Sequence, residues 1–498
     1  MYTARRETLW TLDTLKEALA HLDPVYQVPD ILNVEEIRVD AGTAESRALY
    51  LIGRPDLKDP TPKQQRDAVI RALENGAELA ITDLPLDQFD ADMPLIGVKD
   101  RVDAWSALSD RARARFDGKL IGITGSFGKS TTKDVLGQML AFCEPTFASR
   151  GNYNELAAVH MHLASLPSYA KYAVLEVSMG RMHRKAAAIN ELDIGILTSI
   201  GNAHGAILGD RSGILADKIK LLQTISAQGV AIVARDIVTL DNENARFFEH
   251  FSCKIITVGQ EADADVRIAD YSISPLSTVV TIEIEGGTYV IENLPPGRQF
   301  AFAAAFSLAT AHTLGLDLGL AARALGSFKK PKNQRGSRWK VNVGGGRALV
   351  EVIDDSQNSA PQSVQALLEY LTSRKPARKW LVMGDMRELG AGELEMHLGL
   401  KQAILDAGIT DLLTVGPLAA ELGKALADEI KVSSCDEAAE AAKRVFAEAR
   451  QGDLIALKAS GAVNLKLILQ RMAKAEFRRV APFWWLIENH QDKEVASP

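Results

Sequence analysis

The sequence predicts an α/β protein of three domains: a central doubly wound parallel sheet, a Rossmann-like C-terminal domain and a small α/β N-terminal domain. Three observations lead there. Apolar strand-like runs alternate with amphipathic helical stretches from about 118 to 332, starting with a glycine-rich strand-to-helix turn at LIGITGSFGKSTTK. The same alternation resumes over 333–498, and a weaker version fills 1–117. At 498 residues, the chain is longer than one hydrophobic core usually holds.

Composition narrows the class of function. Hydrophobic residues at 47% and charged residues at 24% fit an ordinary globular protein, and a net charge of −7 gives no basic footprint for nucleic acid. The expected partners are therefore small molecules, with no nucleic acid and no membrane span. Cys143, Cys253 and Cys435 lie far apart in no metal-ligand spacing, which fits free thiols in a reducing compartment and a cytoplasmic location. Charges at Glu7, Asp13, Lys16 and Glu17 interrupt the N-terminal stretch where a signal peptide needs an apolar core.

In the N-terminal unit, ALYLIG (48–53), ELAITD and PLIGV read as strands. Residues 63–75 and 100–116 read as helices, the second charged and amphipathic and leading into the central domain.

The central unit opens on a buried strand. A loop with Gly125, Ser126 and Gly128 follows, and a helix then starts at Lys129-Ser130-Thr131-Thr132. Glycines let the backbone approach phosphate oxygens, and the helix N-terminus turns its free N–H groups toward them. Lys129 supplies a cation for the β/γ-phosphates and the Ser130 hydroxyl a ligand for Mg²⁺, so the expected cofactors are ATP and Mg²⁺. Next, ASRGNYNELAAV places Asn152, Asn154 and Glu155 in a turn before a helix. KYAVLEVSMG then puts Glu176 at the end of a buried strand, and IGILTSIGNAHGAILGD puts His204 just past the following one. A carboxylate and an imidazole at strand ends facing a phosphate loop suit a divalent metal, although a solvated Glu and a structural His have the same local signature. RSGILADKIKLLQTI reads as a helix from near Ser212, carrying Lys218 and Lys220. VAIVARD and KIITVG continue the sheet, with a helix at DNENARFFEH between them. Residues 264–293 switch to period two, as in a small antiparallel flap, before an alanine-rich helix after PPGRQF.

The C-terminal unit reads RALVEVIDDS as a strand, a helix from Pro361, the strand KWLVMGD, a helix from Gly392 and the strand DLLTVG. Two helices, the strand DLIALKAS and a closing helix follow. Its strand-end loops hold the remaining candidates: Asp355 in DDSQNSAP, Asp385 and Glu388 in GDMRELG, and Lys458 in LKASGA.

The TGxxGK[ST] loop with its upstream GIT resembles that of the Mur ligases, ATP-dependent amide-forming enzymes, and GDMRELG followed by His397 resembles the G-D-M-x-E-L-G…H string of the branch that adds D-alanyl-D-alanine. DDSQNSAP resembles that branch's D-D-S-Y-N-A-N-P, with Gln357 in place of Tyr and Ala360 in place of Asn. Gly297-Arg298-Gln299-Phe300 and Ala303 depart from its G-x-H-N-x-x-N, altering the asparagine position near adenine. The resemblance covers 119–498 and implies a ligase that joins a carboxylate and an amine through an acyl phosphate, in peptidoglycan precursor synthesis, with 1–117 as its acceptor-substrate domain. It assigns ATP binding to the phosphate loop with Asp355 and either Arg335 or Arg338. Metal binding falls to Ser130, Glu176, His204 and Lys218, the last as an N-carbamate with Lys220 as its nearby competitor. Lys129, Lys218, His204 and Lys458 take the catalytic roles, and Asn152, Asn154, Asp385 and Glu388 face substrate. Two alternatives stand beside it: a paralogue joining amino acids or peptides outside cell-wall synthesis, and a phosphate-loop ATPase or nucleotide-binding protein without ligase activity.

Overall fold

A computed structural model describes residues 7–41, 47–51, 61–178, 180, 182–201, 211–238, 248, 251–330, 336–343, 348–390, 392–473 and 477–478. His204, Arg335, the expected DNENARFFEH helix apart from Phe248, and the apolar FWWLI stretch of the tail lie outside the described residues.

The N-terminal sheet has five strands, in the spatial order Val25–Gln27, Leu95–Gly97, Leu79–Thr82, Ala48–Leu51, Glu36–Arg38. All pairs are parallel except that of Val25–Gln27, which is antiparallel. Helices Pro62–Glu74 and Arg101–Ala114 match the expected ones, and helix Leu12–Leu19 adds to them. Thr61 caps the first with Pro62 at its opening position, and Asp100 caps the second. The core of this unit is completed from outside it: Ala157, Ala158, Met161 and Ala164 of helix Leu156–Ala164 pack into it. The Trp10 indole donates to Ala164 O at 3.0 Å.

The central sheet has nine strands. Taken by first residue, the order is Gly287, Thr278, Val266, Lys254, Ile225, Leu192, Lys119, Tyr172, Thr146. The strands from Thr146 to Val266 in this order are parallel, and the central ones, Tyr172–Glu176, Lys119–Thr124 and Leu192–Leu197, are mostly apolar and largely buried in the main core. Strand Lys119–Thr124 sits where the winding reverses: the chain fills positions on one side of it, then crosses to Leu192–Leu197 on the other. Ligands of open α/β sheets bind off the carboxyl ends at such a reversal.

The alternating stretch after 264 is not a separate flap. Strands Val266–Ile273, Thr278–Ile284 and Gly287–Leu294 extend the main sheet, the last two antiparallel. Period two reports one buried face, here Val280, Ile282 and Ile284, and an edge extension has the same signature as a free hairpin.

The C-terminal sheet has seven strands and a parallel centre, Ala348–Asp355, Leu454–Lys458, Lys379–Gly384, Asp411–Val415, Lys431–Cys435. Strand Ser337–Val343 precedes it antiparallel. Lys431–Cys435 falls where sequence indicated only two helices; it is an edge strand whose polar residues mask the strand pattern. Helices Pro361–Thr372, Glu393–Leu398 and Lys466–Ala473 stand where expected. Strand Val266–Ile273 of the central sheet touches helix Pro361–Thr372: Tyr271 Oη donates to Glu369 Oε1 at 2.7 Å, and Ile273 packs on the C-terminal core.

Candidate active site

The phosphate loop turns on two glycines that need positive φ: Gly125 at 151° and Gly128 at 84°. A Cβ on Gly125 would collide with the Thr198 hydroxyl. The loop is pinned from the next strand, since the Thr198 and Ser199 hydroxyls donate to Phe127 O at 2.6 and 2.9 Å and Gly201 N donates to Ser126 Oγ at 2.9 Å. Gly128 is the N-cap of helix Lys129–Cys143, which leaves the first-turn N–H groups pointing out of the loop. Lys129 Nζ folds back on Gly125 O at 2.7 Å and Ser126 O at 3.2 Å, and Ser130 and Thr131 line the cleft in front of it.

Glu176 closes strand Tyr172–Glu176 and is 2% exposed. Its Oε1 accepts from Asn154 Nδ2 at 2.6 Å, and its Oε2 is buried with no hydrogen-bond partner. Such an oxygen carries a desolvation cost that a cation offsets. Lys218, on helix Arg211–Leu222, is 1% exposed. Burial is the main cause that pushes its ammonium down to about 7; the positive charges of Lys129 and Lys185 add to this, while Asp217 opposes it. A neutral amine here is the state that takes up CO₂ to form a carbamate. Among the described residues no group of three or more His, Cys, Asp or Glu is placed to hold a metal. Of the assigned set, His204 lies outside the described residues; the Ser130 hydroxyl and the Glu176 carboxylate are hard oxygen donors of the kind Mg²⁺ takes, and Lys218 would add oxygen donors only as a carbamate.

From the C-terminal domain, Lys458 Nζ donates to Asp355 Oδ2 and Asn358 O, each at 2.7 Å, which sets the DDSQNSAP loop against the end of strand Leu454–Lys458. These residues, with Arg338 and Glu388, line the same cleft as the phosphate loop and Asn152, about 1580 Å³ in volume. Arg338 is engaged by Glu351, Nε to Oε1 at 2.8 Å. Asp385, expected at the substrate, instead holds a helix: it is 2% exposed, and its Oδ1 accepts from Ala419 N at 2.9 Å in the first turn of helix Pro417–Leu426. His397 fixes the same loop, accepting from Met386 N at Nε2 (2.9 Å) while Nδ1 meets Glu393 O at 2.6 Å. Arg387 and Glu388 are the members of GDMRELG that reach the cleft. Sequence reasoning missed two buried lysines beside the site, Lys133 and Lys185, and the buried imidazole of His162, whose Nε2 accepts from Arg150 N at 3.1 Å.

Residues 123–311 match the Mur ligase middle domain, and residues 338–461 match the Mur ligase, glutamate ligase domain. The UDP-N-acetylmuramoyl-tripeptide–D-alanyl-D-alanine ligase of Bacillus subtilis is 27% identical over 414 residues, 82% of this chain and 87% of the relative. That of Rickettsia prowazekii is 25% identical over 466 residues, 93% of this chain and 99% of the relative. Among solved structures, MurF from Acinetobacter baumannii superposes with a TM-score of 0.73 at 25% identity, covering 93% of this chain and 99% of that one. The MurF ligase from Thermotoga maritima, solved in complex with ADP, shares the fold with a TM-score of 0.68 at 23% identity, over 88% and 97% of the two chains. With the two domain matches in order along more than half of its length, and with a phosphate loop and a third-domain lysine around one cleft, the chain belongs to the Mur ligase family of ATP-dependent ligases.

Proposed function

We propose that the protein joins D-alanyl-D-alanine to a UDP-N-acetylmuramoyl-tripeptide in the cytoplasm, using ATP, as the relatives' names describe for them. The observation that carries this is the single cleft onto which the phosphate loop, Asn152 and the Lys458–Asp355 pair all open, because a carboxylate activated at the first must meet an amine delivered to the last. The γ-phosphoryl group passes to the tripeptide's terminal carboxylate, releasing ADP. The amine of the dipeptide then attacks the acyl carbon, and the C–O bond to phosphate breaks as the amide forms and the amine loses its proton.

The chain's own residues divide this work. The loop amides and Lys129 hold the β- and γ-phosphates, and Glu176 with Ser130 and Lys218 would hold the metal. Mg²⁺ in that position would supply charge neutralisation for the transferring phosphoryl group. Asn152 and Asn154 stand on the carboxylate side, and Glu388, Lys458 and Asp355 on the amine side. Arg335 or Arg338 is positioned in sequence to clamp phosphate when the third domain closes and excludes water.

The test is release of phosphate that requires both a UDP-N-acetylmuramoyl-tripeptide and D-alanyl-D-alanine, with the ligated product identified by mass. A second assignment, a paralogue with a different amine, is favoured by Gln357 and Ala360 in the loop beside Lys458. Turnover with other amino acids or dipeptides but not with D-alanyl-D-alanine would select it, and phosphate release that needs neither substrate would remove both.

A further inference from the structure

Two buried lysines brace the loop that carries Asn152 and Asn154, one at each end. Lys133, one turn into the phosphate-loop helix, is 1% exposed. Its Nζ donates to Ser149 O at 2.9 Å and Gly151 O at 2.7 Å and pairs with Asp134 Oδ1 at 2.9 Å. Ser149 passes this anchorage on, since its Oγ accepts from Glu176 N at 3.0 Å. At the far end Lys185 Nζ donates to Glu155 Oε2 at 3.1 Å, Ser178 O at 3.2 Å and Ser178 Oγ at 3.0 Å. Ser178 in turn donates through N and Oγ to Asn154 O, at 3.3 and 3.1 Å. Between the two anchors lies the Asn154–Glu176 hydrogen bond.

A buried ammonium is costly unless well compensated, and an apolar side chain of similar volume often serves stability as well or better. Lys133 directs its charge onto backbone carbonyls of a loop in a different segment, and that loop meets Glu176 twice, at its backbone N through Ser149 Oγ and at its carboxylate through Asn154 Nδ2. We propose that Lys133 is a positioning residue for Glu176. By tying the 149–151 backbone to the helix that begins at Lys129, it fixes the distance between the metal carboxylate and the nucleotide's phosphates, with Lys185 holding the other end of the loop.

The proposal rests on the cleft being a Mg²⁺–nucleotide site, and its test separates the two ideas. ADP binding to the full-length protein is measured by calorimetry with and without Mg²⁺, beside thermal unfolding. In the wild type Mg²⁺ tightens ADP binding. In Lys133→Met the metal-free ADP affinity stays close to wild type, because Lys129 and the loop amides are intact, while the gain from Mg²⁺ shrinks by about tenfold, the usual effect of removing a group that orients a metal ligand. A folded Lys133→Met protein with the wild-type Mg²⁺ gain overturns the proposal, as does a variant that loses metal-free ADP binding to the same degree. Should Lys133→Met fail to fold, Ser149→Ala decides: it keeps the lysine's carbonyl contacts and cuts the link to Glu176 N, so an unchanged Mg²⁺ gain there also overturns it. A wild type whose ADP affinity ignores Mg²⁺ removes the metal site itself.

Discussion

Asn154 Nδ2 donates to Glu176 Oε1 at 2.6 Å and leaves the second carboxylate oxygen buried with no partner. One oxygen is therefore oriented by the loop, and the other carries the uncompensated burial that the proposed Mg²⁺ would offset. Glu176→Gln keeps the shape and removes the charge. It should raise the Mg²⁺ concentration for half-maximal turnover by about tenfold or more. Asn154→Leu, which frees the carboxylate to rotate, should move it in the same direction by less. Mg²⁺ titration of ATP turnover reads both, and an unchanged requirement in Glu176→Gln would take this residue off the metal.

Lys129 spans the phosphate loop, bonded to Gly125 O and Ser126 O. Those two bonds are worth about 1 kcal/mol each to the fold, whereas an uncompensated β/γ charge in the cleft costs several times that in the transition state. Lys129→Ala should thus lower turnover by at least about 100-fold while the unfolding midpoint moves little. Near wild-type turnover in the folded variant would exclude the loop from catalysis.

The junction between the N-terminal and central domains carries an acid-labile pair. Burial pushes the His162 imidazole down to about 3, helped by the charges of Lys133 and Arg150, and burial alone pushes His160 down to about 4. In the unfolded chain both titrate near 6.5, so the unfolded state binds more protons below that pH. The stability from keeping them neutral is complete above about pH 6.5 and is lost as pH falls toward 3–4, by a few kcal/mol in all. Denaturant unfolding at pH 7 and pH 4.5 checks it. His162→Gln, which keeps an acceptor for Arg150 N but does not titrate, should flatten the slope.

Much of this site was legible because local rules and the global fold agree. Strand, glycine loop and helix are contiguous in sequence, so Gly125, Gly128 and Lys129 could be placed from it alone. The strand-end position of Glu176 could be read from its apolar run, but its metal role came from the family resemblance, since a solvated acid has the same local signature. Asp385 shows where such reasoning stops, because its carboxylate is claimed by Ala419 N, more than thirty residues later, and a strand-end acid looks the same whether it faces a ligand or a helix terminus. Lys185 left a usable trace, lying on one helix face with Met182 and Ile189, both fully buried, although its acceptors at Ser178 depend on tertiary contacts. Lys133 left little, since its helix is buried on most sides and the loop it holds is sixteen to eighteen residues away.

Lys218 tests whether the family resemblance extends to chemistry. Its amine is nearly fully buried and pushed down to about 7. If it acts as a carbamate, the neutral amine takes up CO₂, the N–C bond forms and a proton is released. Activity should then rise with bicarbonate and with pH through about 7, because protonation below that removes the nucleophile. Lys218→Ala should be inactive yet partly restored by millimolar-range acetate, which returns an anionic oxygen ligand to the space. Lys218→Arg should stay inactive with or without acetate, since a guanidinium keeps the wrong sign of charge. A lysine that serves as a plain cation gives the opposite pattern, an active arginine variant and no response to acetate or bicarbonate. Turnover of the two variants across acetate concentrations, with the mass of the intact wild-type protein read in bicarbonate, separates the cases, and an active Lys218→Arg enzyme would remove Lys218 from the metal site.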